Sequence, residues 1–273
     1  GDASIDTIDS NQDSDVLILD GGSTYSGEIH AGGFTRMIRA SGSVSATVTP
    51  VVTNAGDTLV DASSLSGLIV TNGQTNGSVS SLLIGSVSDI EFDSVEYACD
   101  GTSNCIDAQV NGELTLSNSN FGLSASESVA FARFRGAGNV LMDNVNVSAS
   151  TTFFDIAGDG ELSIEGSSLS GQSLGTISGW QLQMNNTSAI GEEDGLVLLD
   201  VESTLIETEF SRTFAISDST STGLRVVWSE VNMQDVTMSG WNDGIRCESE
   251  CIITGTTVNS GGGGRNSGSG LTI

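Results

Sequence analysis

A pattern eight residues long returns nine times along the chain, beginning at Leu68, Ile90, Leu114, Val140, Leu162, Leu182, Ser203, Val231 and Cys251, in steps of 22, 24, 26, 22, 20, 21, 28 and 20 residues. Its third position is apolar throughout: Val70, Phe92, Leu116, Met142, Ile164, Met184, Leu205, Met233 and Ile253. Its eighth holds Tyr97, Phe121, Val147, Leu169, Ala189, Phe210, Met238 and Val258, with Thr75 as the exception. Positions two and four are mixed and often polar, as in Glu91 and Asp93, Thr115 and Ser117, or Ser163 and Glu165. Apolar alternation with period two describes a strand buried on one face. The fifth position is Asn72, Ser94, Asn118, Asn144, Gly166, Asn186, Asp235 or Gly255, broken only by Glu207. Asn and Gly tolerate positive φ, so a corner is expected there. Self-similarity at this period is the signature of a solenoid.

A second apolar segment precedes each pattern, for example Leu82 to Ile84, Phe131 to Phe134, Leu196 to Leu199 and Leu224 to Val227. The gap from this segment to the next pattern stays at 7 to 9 residues, whereas the stretch on the other side runs from 12 to 21. Length variation therefore gathers on one side of the coil. The expected fold is all-β: a right-handed parallel β-helix of about 11 to 12 rungs of 20 to 28 residues, in which each strand pairs with its equivalent one turn on. A sandwich or barrel would need antiparallel hairpins with tight turns. Helices are not expected, because Gly, Ser and Thr interrupt every candidate 3.6-residue period.

The segments Trp241-Asn242-Asp243-Gly244-Ile245 and Val16 to Tyr25 look like the repeat and the first strand of the right-handed parallel β-helix proteins. The chain resembles that pectate-lyase-like family from about residue 16 to 273. The resemblance implies a fold and a setting at the cell surface or outside the cell. It also brings the family's enzymes into view, but their motifs are missing here. No lysine is present, so an arginine would have to serve as the proton-abstracting base, and nothing matches the histidine segment of the polygalacturonases. Asn242-Asp243-Gly244 reads as the turn of the repeat.

Residues 1–15 carry five aspartates and little apolar content and are read as an acidic leader or cap edge, with a single β-helix domain over 16–273. Because end rungs need covering, the terminal Gly270-Leu271-Thr272-Ile273 predicts either a partner there or a continuation in a longer protein.

Thirty-five acidic residues face eight basic ones, all arginine, for a net charge of -27. Nucleic acid and anionic membranes are excluded as partners by repulsion. Such a coat suits saline surroundings or weak, dispersed binding of divalent cations such as calcium. No other cofactor and no dedicated metal site is expected. The four cysteines form two local pairs. Patterns beginning at Ile90 and Val231 are six steps apart, so the pairs should lie about 29 Å from each other at one strand spacing per step. A cross-pair bond or a shared zinc site is impossible at that separation. Cys99–Cys105 and Cys247–Cys251 disulfides are therefore expected, with free buried thiols as the alternative. Disulfides would place the protein outside the cytosol. No stretch is apolar for long enough to span a membrane as a helix. Asn76, Asn146, Asn185 and Asn186 begin glycosylation sequons.

Three kinds of candidate site follow. Glu91, Asp93, Asp143 and Glu165 at outward positions of stacked strands are the candidates for paired-carboxylate hydrolysis or elimination, which needs two carboxylates about 5 to 10 Å apart. Glu207, Glu209, Arg212 and Phe214, in the longest repeat, are candidates for a binding loop. Trp180 and Trp241 are candidates for stacking on sugars or for closing the core at corners. His30, the only histidine, has no nucleophile motif beside it. The function expected is an extracellular structural or adhesive solenoid, part of a surface layer, filament, stalk or adhesin, that contacts copies of itself, other surface proteins or glycans. A carbohydrate-active enzyme and a non-catalytic glycan-binding module are the alternatives.

Overall fold

The computed structural model describes residues 78–124, 129–213 and 221–254 in full, with residues 60 and 68–70, and further strands on either side as backbone alone. The described residues form strands and turns with no helix. Every strand pairing is parallel and joins residues one coil apart, which is a parallel β-solenoid. An antiparallel sandwich is thereby excluded.

Each turn contributes three strands. Face A stacks Ile106–Val110, Ala130–Gly136 and Thr152–Gly158, and continues through Thr222–Val227 to Asp243–Glu248. Face B stacks Glu113–Ser117, Asn139–Asp143, Glu161–Glu165, Gln181–Asn185, Glu202–Ile206 and Glu230–Gln234. Face C stacks Glu96–Cys99, Asn120–Leu123, Asn146–Ala149, Glu209–Arg212 and Val236–Ser239, with segments 168–171 and 188–191 between them. The fully described residues make about eight turns of the coil. Backbone pairings carry face A beyond this stretch, from Leu17–Leu19 on one side to Leu271–Thr272 on the other. Ala3–Ser4 pairs in parallel with residues 25 and 26.

The third positions of the pattern form a single inward column. Val70, Phe92, Leu116, Met142, Ile164, Met184, Leu205 and Met233 are cross-strand neighbours in that order and are all buried. The eighth positions do the same on face C from Tyr97 to Met238. Aromatic rings stack along the core as well: Phe121 lies 5.8 Å from Phe131, which lies 5.1 Å from Phe153.

The last repeat departs from the sequence register. Ile253, not Cys251, lies opposite Val231, and Ser260, not Val258, opposite Met238. The connector from face A is one residue longer here, since Val227 and Glu248 are paired while Glu230 pairs with Ile252. Cys251 sits in that connector. A slip of two residues keeps every side chain on its own face, so hydrophobic alternation alone does not detect it.

The fifth position turns the corner between faces B and C as expected. Ser94, Asn118, Asn144, Gly166, Asn186, Glu207 and Asp235 all have φ between 47° and 58°. Glu207 adopts this conformation despite having neither Gly's freedom nor Asn's local hydrogen bonding. The A-to-B corner is also left-handed: Gly136, Gly158, Gly179, Asp200, Trp228 and Ser249 follow one another there. At Gly158 a Cβ would meet the Gly136 carbonyl oxygen at 2.2 Å.

Just past the corners the sequence often places either Val or a hydroxyl residue, Ser or Thr, and where a Val is followed one turn on by a Ser the structure supplies the reason. Ser119 Oγ accepts the Val95 N–H at 3.1 Å, Ser167 Oγ accepts that of Val145 at 3.0 Å, and Ser229 Oγ accepts that of Val201 at 3.0 Å. Each hydroxyl also donates to the carbonyl two residues back. The bend interrupts the backbone ladder, and the buried hydroxyls complete it.

Candidate functional site

The three outer faces carry different charge. Outward positions on face B hold Asp89, Glu91, Asp93, Glu113, Asp143, Glu161, Glu165, Glu202 and Glu230, and no basic side chain among the described residues. Face A holds Arg133, Arg135, Arg225 and Arg246, with Asp107, Asp155, Asp194 and Glu248. Face C is mostly Ser, Thr, Asn and small residues. Four of the five arginines whose side chains are described are thus gathered on one sheet face, while Arg212 stands on face C.

On face A, Arg133 lies 3.6 Å from Asp107 and 3.5 Å from Asp155, and Arg135 lies 2.9 Å from Asp155. Farther along, Arg225 and Arg246 are direct neighbours across the strands. Both turn to one carboxylate, Glu248, which accepts from Arg225 Nε at 3.0 Å and lies 2.9 Å from Arg246 Nε. Hydrogen bonding from Arg225, reinforced by the charges of Arg225 and Arg246, holds the Glu248 carboxyl below its usual range. Two guanidinium groups thus share one anion.

The carboxylates proposed from sequence are only partly brought together. Asp143 and Glu165 are direct cross-strand neighbours, about one strand spacing apart. Asp93 is not next to Asp143, because Ser117 stands between them in register. Asp93 is a bound acceptor: Ser117 Oγ donates to it at 2.8 Å, Asn118 Nδ2 at 3.0 Å and Ser94 Oγ at 3.2 Å. The Asn118 hydrogen bond, with those from Ser117 and Ser94, holds its carboxyl below the ordinary value against a smaller opposing effect of burial. Such a carboxylate suits a structural acceptor better than a proton donor. Glu91 borders a shallow groove of about 310 Å³ with Ile69, Asp89 and Glu113.

The residues proposed for a binding loop are scattered. Glu207 is at the B-to-C corner, and Glu209 pairs within face C opposite Ser188 and Thr237. The extra length of this turn therefore comes after Arg212. Arg212 is tied down, donating through Nε to the Glu192 carbonyl at 2.9 Å and through Nη1 to Ser221 Oγ at 2.6 Å, with its guanidinium 5.9 Å from the Trp241 ring. Phe214 lies outside the described residues, as do the side chains of His30 and Asn76. Asn146, Asn185 and Asn186 are exposed, but Thr187, which completes the Asn185 sequon, is buried and hydrogen-bonded to the Ile164 and Asn185 carbonyls.

The two tryptophans proposed for sugar stacking do not face solvent. Trp180 is fully buried, its ring 6.2 Å from that of Phe134, and Trp241 is 8% exposed with its indole N–H donated to the Phe210 carbonyl. Both close the core at corners. Among the described residues the exposed aromatic is Trp228, at 59%, beside the similarly exposed Ile252. It occupies the A-to-B corner, in the position where Gly136 and Gly158 stand on earlier turns. With Asp159, Asp200, Glu202, Glu230 and Glu250 it lines a groove of about 500 Å³. Nothing in the period-two pattern marks Trp228, since corner residues fall outside the alternation.

Both disulfides join neighbouring cysteines, with Cα separations of 5.6 Å for Cys99–Cys105 and 6.1 Å for Cys247–Cys251. The first is buried and closes the variable C-to-A side; the second closes the connector from face A to face B. Among the described residues no group of three or more His, Cys, Asp or Glu side chains converges as a metal site would. No described helix is long and apolar enough to cross a membrane. Comparison with protein-family models, curated proteins and solved structures finds no match to this chain.

Proposed function

We propose that this protein is a structural or adhesive solenoid of an oxidising, extracellular setting, acting through contacts of its outer faces with copies of itself, other surface proteins or glycans. The observation that carries this reading is the separation of charge by face, nine carboxylates on face B and the clustered arginines on face A, on a rigid stack of parallel strands. A regular surface with distinct charged faces suits repetitive contact over a broad area. Two disulfides favour the extracellular setting. The pectate-lyase-like kinship drawn from the sequence remains part of this proposal. Sedimentation velocity and negative-stain electron microscopy of the purified protein test it. Association that grows with concentration, or visible rows and sheets, supports the reading. A monodisperse monomer at high concentration that also binds no glycan on an array overturns it.

The second reading, a carbohydrate-active enzyme, is favoured by one feature, the adjacent Asp143 and Glu165. Depolymerisation of an acidic polysaccharide that is lost in both Asp143→Asn and Glu165→Gln would establish it in place of the first.

A further inference from the structure

We infer that the groove at the A-to-B corner around Trp228 is a receptor for the Arg225/Arg246 pair of a second copy of this chain. The inference rests on the self-association reading above and names its surface. Trp228 presents an exposed indole at a corner where earlier turns carry glycine. Glu202 and Glu230 are stacked cross-strand neighbours beside it, and further carboxylates ring the same groove without any basic side chain. A flat aromatic surface edged by carboxylates matches the chemistry of a guanidinium group, which stacks on the ring and donates in a fork to the oxygens.

The matching donors are on the next face. Arg133 and Arg135 pair with two aspartates, Asp107 and Asp155, whereas Arg225 and Arg246 both turn to Glu248, in a groove that Asp194 also lines. Arg225 and Arg246 are also the more open pair, their side chains 48% and 45% exposed against 43% and 31% for Arg133 and Arg135. Donor pair and receptor groove flank the same edge of the coil, since Arg225 and Trp228 are on one turn. A two-fold arrangement lets each copy give its arginines and receive its partner's at once, which is the self-complementary geometry of an isologous dimer.

Salt dependence follows from the two scales of charge. Copies with a net charge of -27 repel at long range, and this repulsion is screened once the Debye length falls to about 8 Å near physiological ionic strength. Contacts across the groove are shorter than that and persist until higher salt. Association should therefore be strongest at intermediate ionic strength and weaker on both sides.

The test is sedimentation of the intact chain and of three charge variants. Arg225→Glu with Arg246→Glu, and separately Glu202→Arg with Glu230→Arg, should each weaken association by at least about tenfold. An equimolar mixture of the two should recover it, because each variant then offers the other the opposite charge. Arg133→Glu with Arg135→Glu makes the same change in net charge and should leave association intact. Equal loss in that control, or failure of the mixture to recover, overturns this contact while self-association stands. A wild type that stays monomeric at every salt concentration, with Arg225 and Arg246 needed only for retention on an acidic polysaccharide such as alginate, overturns the contact and assigns the arginines to a glycan.

Discussion

Glu207 provides the sharpest test of the corner geometry. It is the only one of the seven described B-to-C corner residues that is neither Asn, Asp, Ser nor Gly, yet its φ of 48° matches the others. Its backbone is held by the same ladder: Asn186 N–H donates to the Ile206 carbonyl at 3.0 Å, and Glu207 N–H to the Gln234 carbonyl at 2.9 Å. An L-residue in this conformation costs about 1 to 2 kcal/mol, and Asn much less because its short polar side chain bonds locally. Glu207→Asn should therefore stabilise the protein by about 0.5 to 1 kcal/mol. Glu207→Gly removes the same strain but gives back about 0.4 to 1 kcal/mol through the greater freedom of the unfolded chain, so its gain should be smaller. Glu207→Ala keeps the Cβ and the strain and removes only an exposed charge, worth a few tenths of a kcal/mol at most. Equilibrium urea unfolding followed by circular dichroism orders the variants as Asn, then Gly, then Ala and wild type together. If Ala gains as much as Asn, the effect is relief of charge repulsion and the backbone argument fails.

Other positions offer further tests. Ser119→Ala leaves the buried Val95 N–H without its acceptor and should cost about 1 to 3 kcal/mol in the same unfolding assay. Tyr97 is buried with its hydroxyl unpartnered, and burial pushes that hydroxyl far above its usual ionisation range. Tyr97→Phe should thus be neutral or stabilising by about 1 kcal/mol, and a clear loss would reveal a partner for the hydroxyl. Because the Asp93 carboxyl is held below its ordinary value of 3.8, it contributes stability that is present above that pH and lost as pH falls through its depressed value. The stability difference between wild type and Asp93→Asn should accordingly narrow as the solution is acidified, and a difference that is flat with pH would contradict the Asn118 hydrogen bond. Under mild reductant, alkylation read by mass spectrometry should label Cys247 and Cys251 before Cys99 and Cys105, since only the latter pair is buried.

Much of this architecture is legible in the sequence, because a parallel coil writes the same demands at each turn. Burial forces the inward column from Val70 to Met233, and positive φ selects Asn, Ser, Asp or Gly at the corner. Fixed and variable gaps between apolar segments locate the side where Cys99 and Cys105 close a loop. Both demands are local and recur at every turn, so a single sequence displays them.

The tertiary structure decided what those demands leave free. The sequence fixes parity but not register, which is why Cys251 and Ile253 are interchangeable in the pattern and only pairing with Val231 separates them. Outward positions bear no packing constraint, so grouping Arg225 with Arg246 and Asp143 with Glu165, or inserting Ser117 between Asp93 and Asp143, depends on which strands stack. Trp180, Trp228 and Trp241 all stand near corners, where alternation breaks and the side chain's direction is set by the turn. Two of them close the core and one is left in solvent, beside an acidic groove.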